Sequence, residues 1–286
     1  MSALRVDAHQ HFWRYDAAEL PWIDDAMALL RRDFLADDLA ALLRVNGIDA
    51  CVAVQARDSR AETEFLLAQA ERHAIVSAVV GWTDLRAPGI DAELERLREH
   101  RKLAGFRHVA QAEADDFLSS PEVVRGVGAL GRFGFSFDLL VFARQLPAAI
   151  ALARALPQQR FVLDHIGKPE IRARKLEPWA SQVRELARLP NVCCKLSGLV
   201  TEAYWTRWEA ADFRPYVDVI LEAFGPRRLL FGSDWPVCLV AATYARGLAL
   251  VNELIGALSD QERDAILGGN AVEFYGIGVP PEALER

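Results

Sequence analysis

The sequence predicts an α/β fold, a single-domain (β/α)8 TIM barrel, and three observations lead there. Its 286 residues suit one barrel of about 250 residues with additions. Short, nearly continuous apolar runs alternate about eight times with amphipathic stretches, the pattern of a parallel sheet buried on both faces. Polar residues recur at the C-terminal ends of those runs, where such barrels place their chemistry. No Gly-rich phosphate fingerprint follows the first run, which argues against an open dinucleotide-binding sheet.

The first strand is carried by Leu4-Arg5-Val6-Asp7-Ala8-His9-Gln10-His11. A polar and aromatic loop follows over 12–34, long enough to lie over the mouth. Asp37 is expected to cap a helix that Gly47 stops. Strand 50–55 leads to helix 60–73, strand 76–82 to helix 90–100, and strand 103–108 to helix 122–133. The alternation continues with strand 136–140, helix 146–156, strand 160–165, helix 177–189, strand 192–197, helix 214–224 and strand 228–234. Helices over 243–255 and 260–267 close the chain, the second within a short helical extension at about 257–286. Neither a linker nor a low-complexity segment divides residues 1–286, so they read as one domain.

Composition narrows the function. Hydrophobic residues make up 52%, ample for a large core, and the net charge is −7. Nucleic acid is a poor partner for that charge, because phosphate contacts need clustered Lys and Arg. No early run of about 18 apolar residues follows a basic start, so neither a signal peptide nor a membrane span is expected. Cys51, Cys193, Cys194 and Cys238 all sit in apolar stretches without a CxxC pattern, which reads as buried free thiols in a reducing cytoplasm. Oligomeric state stays open, with a homo-oligomer allowed.

Successive side chains on a strand face opposite ways, so His9 and His11 share a face about 6.5 Å apart. Two imidazoles so placed can converge on one cation. The later strand ends add Gln55, Trp82, Arg107, His108, Asp138, His165, Lys195, Ser197, Asp234 and Trp235. Gln55 and Ser197 also suit loops or caps, and Asp138 equally suits a helix cap. His73 and His100 lie at helix C-termini, where a cation suits the dipole, and take no role. Lys195 lies between Cys194 and Leu196 in a buried strand and needs a partner or a ligand. His9, His11, His165 and Asp234 together suit a first shell for zinc or a similar divalent ion. Arg107 offers a planar pair of donors for an oxygen ligand.

His9-Gln10-His11 and Gly232-Ser233-Asp234-Trp235-Pro236 resemble the amidohydrolase superfamily. Gly105-Phe106-Arg107-His108, Leu163-Asp164-His165-Ile166-Gly167-Lys168-Pro169 and Lys195-Leu196-Ser197-Gly198-Leu199 narrow the likeness. The resemblance is to the branch of sugar lactonases and 2-pyrone-4,6-dicarboxylate lactonase, and it covers essentially the whole chain. It implies a hydrolase opening a sugar-derived lactone, L-fucono or L-galactono in configuration first. Asp234 would then activate the water, while His9, His11 and His165 orient it, bind a metal or polarise the carbonyl. Arg107, His108, Lys195 and Asp138 would contact the substrate, with Trp13, Trp22 and Trp235 as apolar walls. Two-metal relatives carry a bridging lysine or glutamate at the fourth strand end; Arg107-His108 stand there instead, which implies at most one metal. The branch also includes lactonases that need no added metal. A metal-dependent decarboxylase or hydrolase of an aromatic or pyrone acid is the alternative on this barrel, and a non-catalytic binding barrel leaves the convergent polar residues unexplained.

Overall fold

The computed structural model describes residues 3–278. Eight parallel strands follow in chain order: β1 Val6–Gln10, β2 Ala50–Val54, β3 Val76–Gly81, β4 Leu103–His108, β5 Ser136–Leu139, β6 Phe161–Leu163, β7 Val192–Leu196 and β8 Leu229–Phe231. Between and after them run α1 Ala36–Val45, α2 Arg60–Arg72, α3 Ile90–Leu97, α4 Pro121–Arg132, α5 Leu146–Ala155, α6 Trp179–Ala187, α7 Ala210–Phe224 and α8 Tyr244–Leu254. The seam between β1 and β8 closes at the mouth. There His11 N–H donates to the Trp235 carbonyl at 2.7 Å and Asp234 N–H to the His9 carbonyl at 2.8 Å.

The barrel interior is filled by small and β-branched side chains, among them Val6, Ala8, Val52, Val54, Val80 and Val162. Such residues pack well on a pleated surface. Helices cover the outside through apolar stripes; α4, for example, buries Val123, Val127 and Leu130 at spacings of four and three. After α9 Asp260–Asp264 the chain makes one wide turn and then α10 Asn270–Tyr275. Ala271, Phe274 and Tyr275 of α10 pack into the interior cluster from below.

Four local expectations change. Asp38, not Asp37, caps α1, accepting the Leu35 N–H at 2.9 Å, and Asp37 lies 3.4 Å from His73 instead. The seventh helix starts at Ala210 and not at 214, because Asp212 accepts the Glu209 N–H at 3.0 Å and caps an earlier turn. β6 and β8 stop at Leu163 and Phe231, short of their expected ends, and left-handed backbone follows at His165 and at Asp234. The loop over 12–34 is pinned at its base, where Trp13 and Phe34 exchange two backbone bonds of 2.9 Å, and it contains a short 3-10 helix, Asp25–Leu30. Residues 279–286 of the expected C-terminal extension lie outside the described residues.

All four cysteines are free thiols, and burial pushes Cys51, Cys194 and Cys238 well above the usual thiol value. Among the described residues no helix is long and apolar enough to cross a membrane.

Candidate active site

β1 delivers His9 at its end and His11 immediately after it. His11 Nδ1 lies 2.8 Å from the Val54 carbonyl, which can only accept, so the proton is on Nδ1 and Nε2 carries a lone pair. His9 Nδ1 lies 3.3 Å from Asp164 Oδ1 and 3.2 Å from the Lys195 ammonium, while His9 Nε2 faces the Arg107 guanidinium, which can only donate, at 3.2 Å. The two Nε2 atoms are 3.2 Å apart. Asp234 Oδ1 completes the group at 3.5 Å from His11 Nε2 and 4.0 Å from both His9 Nε2 and His165 Nε2.

His165 and Asp234 arrive on unusual backbone. His165, Ile166, Gly167 and Lys168 follow one another with φ of 52, 50, 74 and 46°, and Asp234 has φ 58°. A residue with a Cβ pays about 1–2 kcal/mol there, and such strain concentrates at functional sites. Space for the rings is made by glycines from the two motifs. A Cβ on Gly198 would meet His165 Nδ1 at 2.4 Å, and one on Gly232 would meet His9 Cβ at 2.5 Å. Ser197 Oγ holds His165 Nδ1 at 3.0 Å.

Burial keeps the His9 and His165 imidazoles well below their usual pKa, so both are neutral near pH 7. Burial alone would raise the Asp234 carboxyl; His165, His11 and the Lys168 ammonium outweigh it and bring Asp234 below the usual carboxylate value. Asp234 is therefore an ionised, buried carboxylate.

Beneath the histidines lies a buried ionic network. Lys195 Nζ is 2.6 Å from Asp138 Oδ2 and 3.0 Å from Asp164 Oδ1. Tyr275, rising from α10, donates to Asp138 Oδ2 at 2.8 Å. Burial opposes the Asp164 carboxylate, yet Lys195, His9 and Arg107 hold it well below the usual value. Asp138, with Lys195 pulling down and Asp164 pushing up, is carried by burial to about 6.

The structure thus gathers His9, His11, His165 and Asp234 at one point and places several expected contacts elsewhere. Lys195 and Asp138 are fully buried in the barrel below the site, paired with each other. All five N–H donors of Arg107 meet protein acceptors: Gln55 Oε1 twice, the Gln55 carbonyl, Asp164 Oδ2 at 3.1 Å and His9 Nε2 at 3.2 Å. His108 accepts from Trp82 Nε1 at 3.1 Å, meets Glu113 at 3.0 Å and stacks on Phe117. Trp13, Trp22 and Trp235 join Phe12 and Phe34 in an edge-to-face cluster that anchors the long loop; of the three, only Trp22 is exposed.

Asp164, Asp7, Lys168 and Tyr275 were missed by sequence reasoning. Asp7 Oδ1 accepts the Ser233 N–H at 2.8 Å and the His9 N–H at 3.2 Å, while Oδ2 accepts from Tyr244 OH at 3.1 Å. It therefore ties the first strand to the eighth beside both Asp234 and His9. A charge inside an apolar strand was the available signal. It singles out Lys195 and holds equally for Asp7 and Asp164.

The donor set fits a divalent ion. Ligands about 2.0–2.1 Å from a tetrahedral zinc stand about 3.3–3.4 Å from one another, close to the 3.2 Å between His9 and His11 and the 3.5 Å between His11 and Asp234, with the His9–Asp234 edge wider at 4.0 Å. His9, His11 and Asp234 form one such group, and His9, Asp164 and His165 a second. Two facing nitrogen lone pairs also repel unless a cation lies between them, which Arg107 supplies only on the His9 side.

A parallel barrel with two histidines at the end of the first strand, one after the sixth and an aspartate after the eighth defines a class of metal-competent barrel hydrolases. The chain belongs to the amidohydrolase family, whose model, described as Amidohydrolase, matches residues 6–277. It is 48% identical to an L-fucono-1,5-lactonase of Burkholderia multivorans, covering 99% of each chain. An L-fucono-1,5-lactonase of Burkholderia ambifaria is 38% identical, over 96% of this chain and 97% of that one. A solved amidohydrolase from Burkholderia multivorans with bound zinc superposes with TM-score 0.92 at 47% identity, covering 96% of this chain and all of the other.

Proposed function

We propose that the protein is a lactonase that opens a sugar-derived lactone, L-fucono-1,5-lactone first, by water attack on the ester carbonyl with Asp234 as general base. The observation that carries this reading is the ionised Asp234 carboxylate set against three neutral or lone-pair-bearing imidazoles at 3.5–4.0 Å. With Oδ1 turned toward the imidazoles, the second oxygen is left to take the proton of the attacking water. That proton then passes to the ring oxygen as the carbonyl–oxygen bond breaks, giving a free hydroxyl and a carboxylic acid, and the acid releases the water's second proton to solvent to leave the carboxylate. His9, His11 and Asp234 would hold one divalent ion, with His165 alongside, and zinc is the ion bound in the solved relative. When bound, it supplies Lewis acidity toward the carbonyl oxygen. His165, fixed by Ser197, orients the water; Arg107 and Asp164 fix the tautomer and tilt of His9. A neutral lactone suits a site whose one arginine is saturated by the protein. The buried free thiols fit a reducing cytoplasm.

Lactone opening releases a proton, so an indicator assay over a panel of aldonolactones tests the reading. L-Fucono-1,5-lactone is expected to give the highest kcat/KM, and no turnover on any aldonolactone would refute the proposal. In the same assay, exhaustive chelation should remove most activity and zinc restore it. Full activity in metal-free protein would instead make the imidazoles hydrogen-bonding and proton-transfer groups alone.

A further inference from the structure

Beyond the catalytic centre, the loops after β6 and β7 line an open groove of about 700 Å³. Its character is set by arginines. The guanidinium carbons of Arg172 and Arg207 each lie 4.7 Å from the ring centroid of Tyr204, a half-exposed aromatic. Arg174 also lines the groove and pairs with Asp212 at 3.4 Å. Among the described residues neither Arg172 nor Arg207 has a carboxylate partner, and Glu209 is the other acid in the lining. Two unpaired guanidinium groups gathered at one ring stand out in a chain of net charge −7. Cation–π contact holds their planes in place, and a pre-placed planar fork is the donor that best matches a carboxylate.

The groove is linked along the chain to the loops that carry the site residues His165 and Ser197. Lys168, three residues after His165, pairs with Glu202 at 3.3 Å across them, and Tyr204 lies two residues beyond Glu202. A lactone is neutral; the acid released by its opening is an anion. We infer that the arginine groove is an outer subsite for the carboxylate of the ring-opened product, an inference that rests on the lactonase reading.

Calorimetric titration of the intact enzyme with L-fuconate tests this, beside a titration with inorganic phosphate and a rate measurement on L-fucono-1,5-lactone. Arg172→Gln/Arg207→Gln should weaken L-fuconate binding by about tenfold or more, with an unchanged Tm as the folding control. Equal L-fuconate affinity in wild type and variant overturns the subsite. Arginine-dependent phosphate binding tighter than that of L-fuconate also overturns it, since the groove would then be built for phosphate. Arginine-dependent L-fuconate binding by a protein that leaves the lactone intact would sink the lactonase reading and keep the carboxylate site.

Discussion

Arg107 shows how much a residue's role depends on what surrounds it. Its position at a strand end suits a substrate clamp, yet Gln55, Asp164 and His9 take its donors inside the barrel. Lysine would keep the charge and lose the fork. Arg107→Lys should therefore destabilise the fold by about 2–4 kcal/mol, given that a hydrogen bond to a charged group contributes about 1.5–3 kcal/mol, and denaturant titration reads this directly. Unchanged stability with a tenfold lower kcat/KM would restore Arg107 to the substrate. The sequence could place this residue at the right end of the right strand. It could not show that Asp164, 57 positions away, waits for it. His9, His11 and Asp234 were legible because short motifs carry them; Asp164 and Tyr275 act only through contacts between distant strands and helices.

At the scale of elements, the strands and helices were legible from hydropathy because each apolar run is buried on both faces. What was not legible is how β6 and β8 end. Left-handed backbone at His165, Ile166, Lys168 and Asp234 leaves no periodic trace, and only the glycines nearby hint at crowding. The seam between β1 and β8 depends on Asp7 in the same hidden way. Asp7→Ala would strand the Ser233 and His9 N–H groups, each costing about 1–3 kcal/mol when buried and unpaired. It would also shift His9 against Asp234, and misplacement near 1 Å can cost about 10² in rate. The expected result is a kcat at least about tenfold lower with little change in KM, largely recovered in Asp7→Asn, which keeps an acceptor oxygen. Equal kcat in wild type and Asp7→Ala would show that the seam sets no catalytic register.

Across the whole molecule, α10 plugs the barrel floor and sends Tyr275 up to Asp138, so the ionic network runs from the floor to His9. Tyr275→Phe should cost about 1.5–3 kcal/mol of stability and leave kcat/KM within about threefold; a collapse of kcat at unchanged stability would place the tyrosine in the reaction. The central claim concerns Asp234. Asparagine tolerates positive φ better than most residues, so Asp234→Asn should keep the fold at φ 58° while removing the base. The decisive measurement is kcat of wild type and Asp234→Asn on L-fucono-1,5-lactone, with circular dichroism confirming equal folding. A loss of about 10²–10⁴ in kcat is predicted for a missing general base; a variant that keeps most of the wild-type kcat would contradict the account.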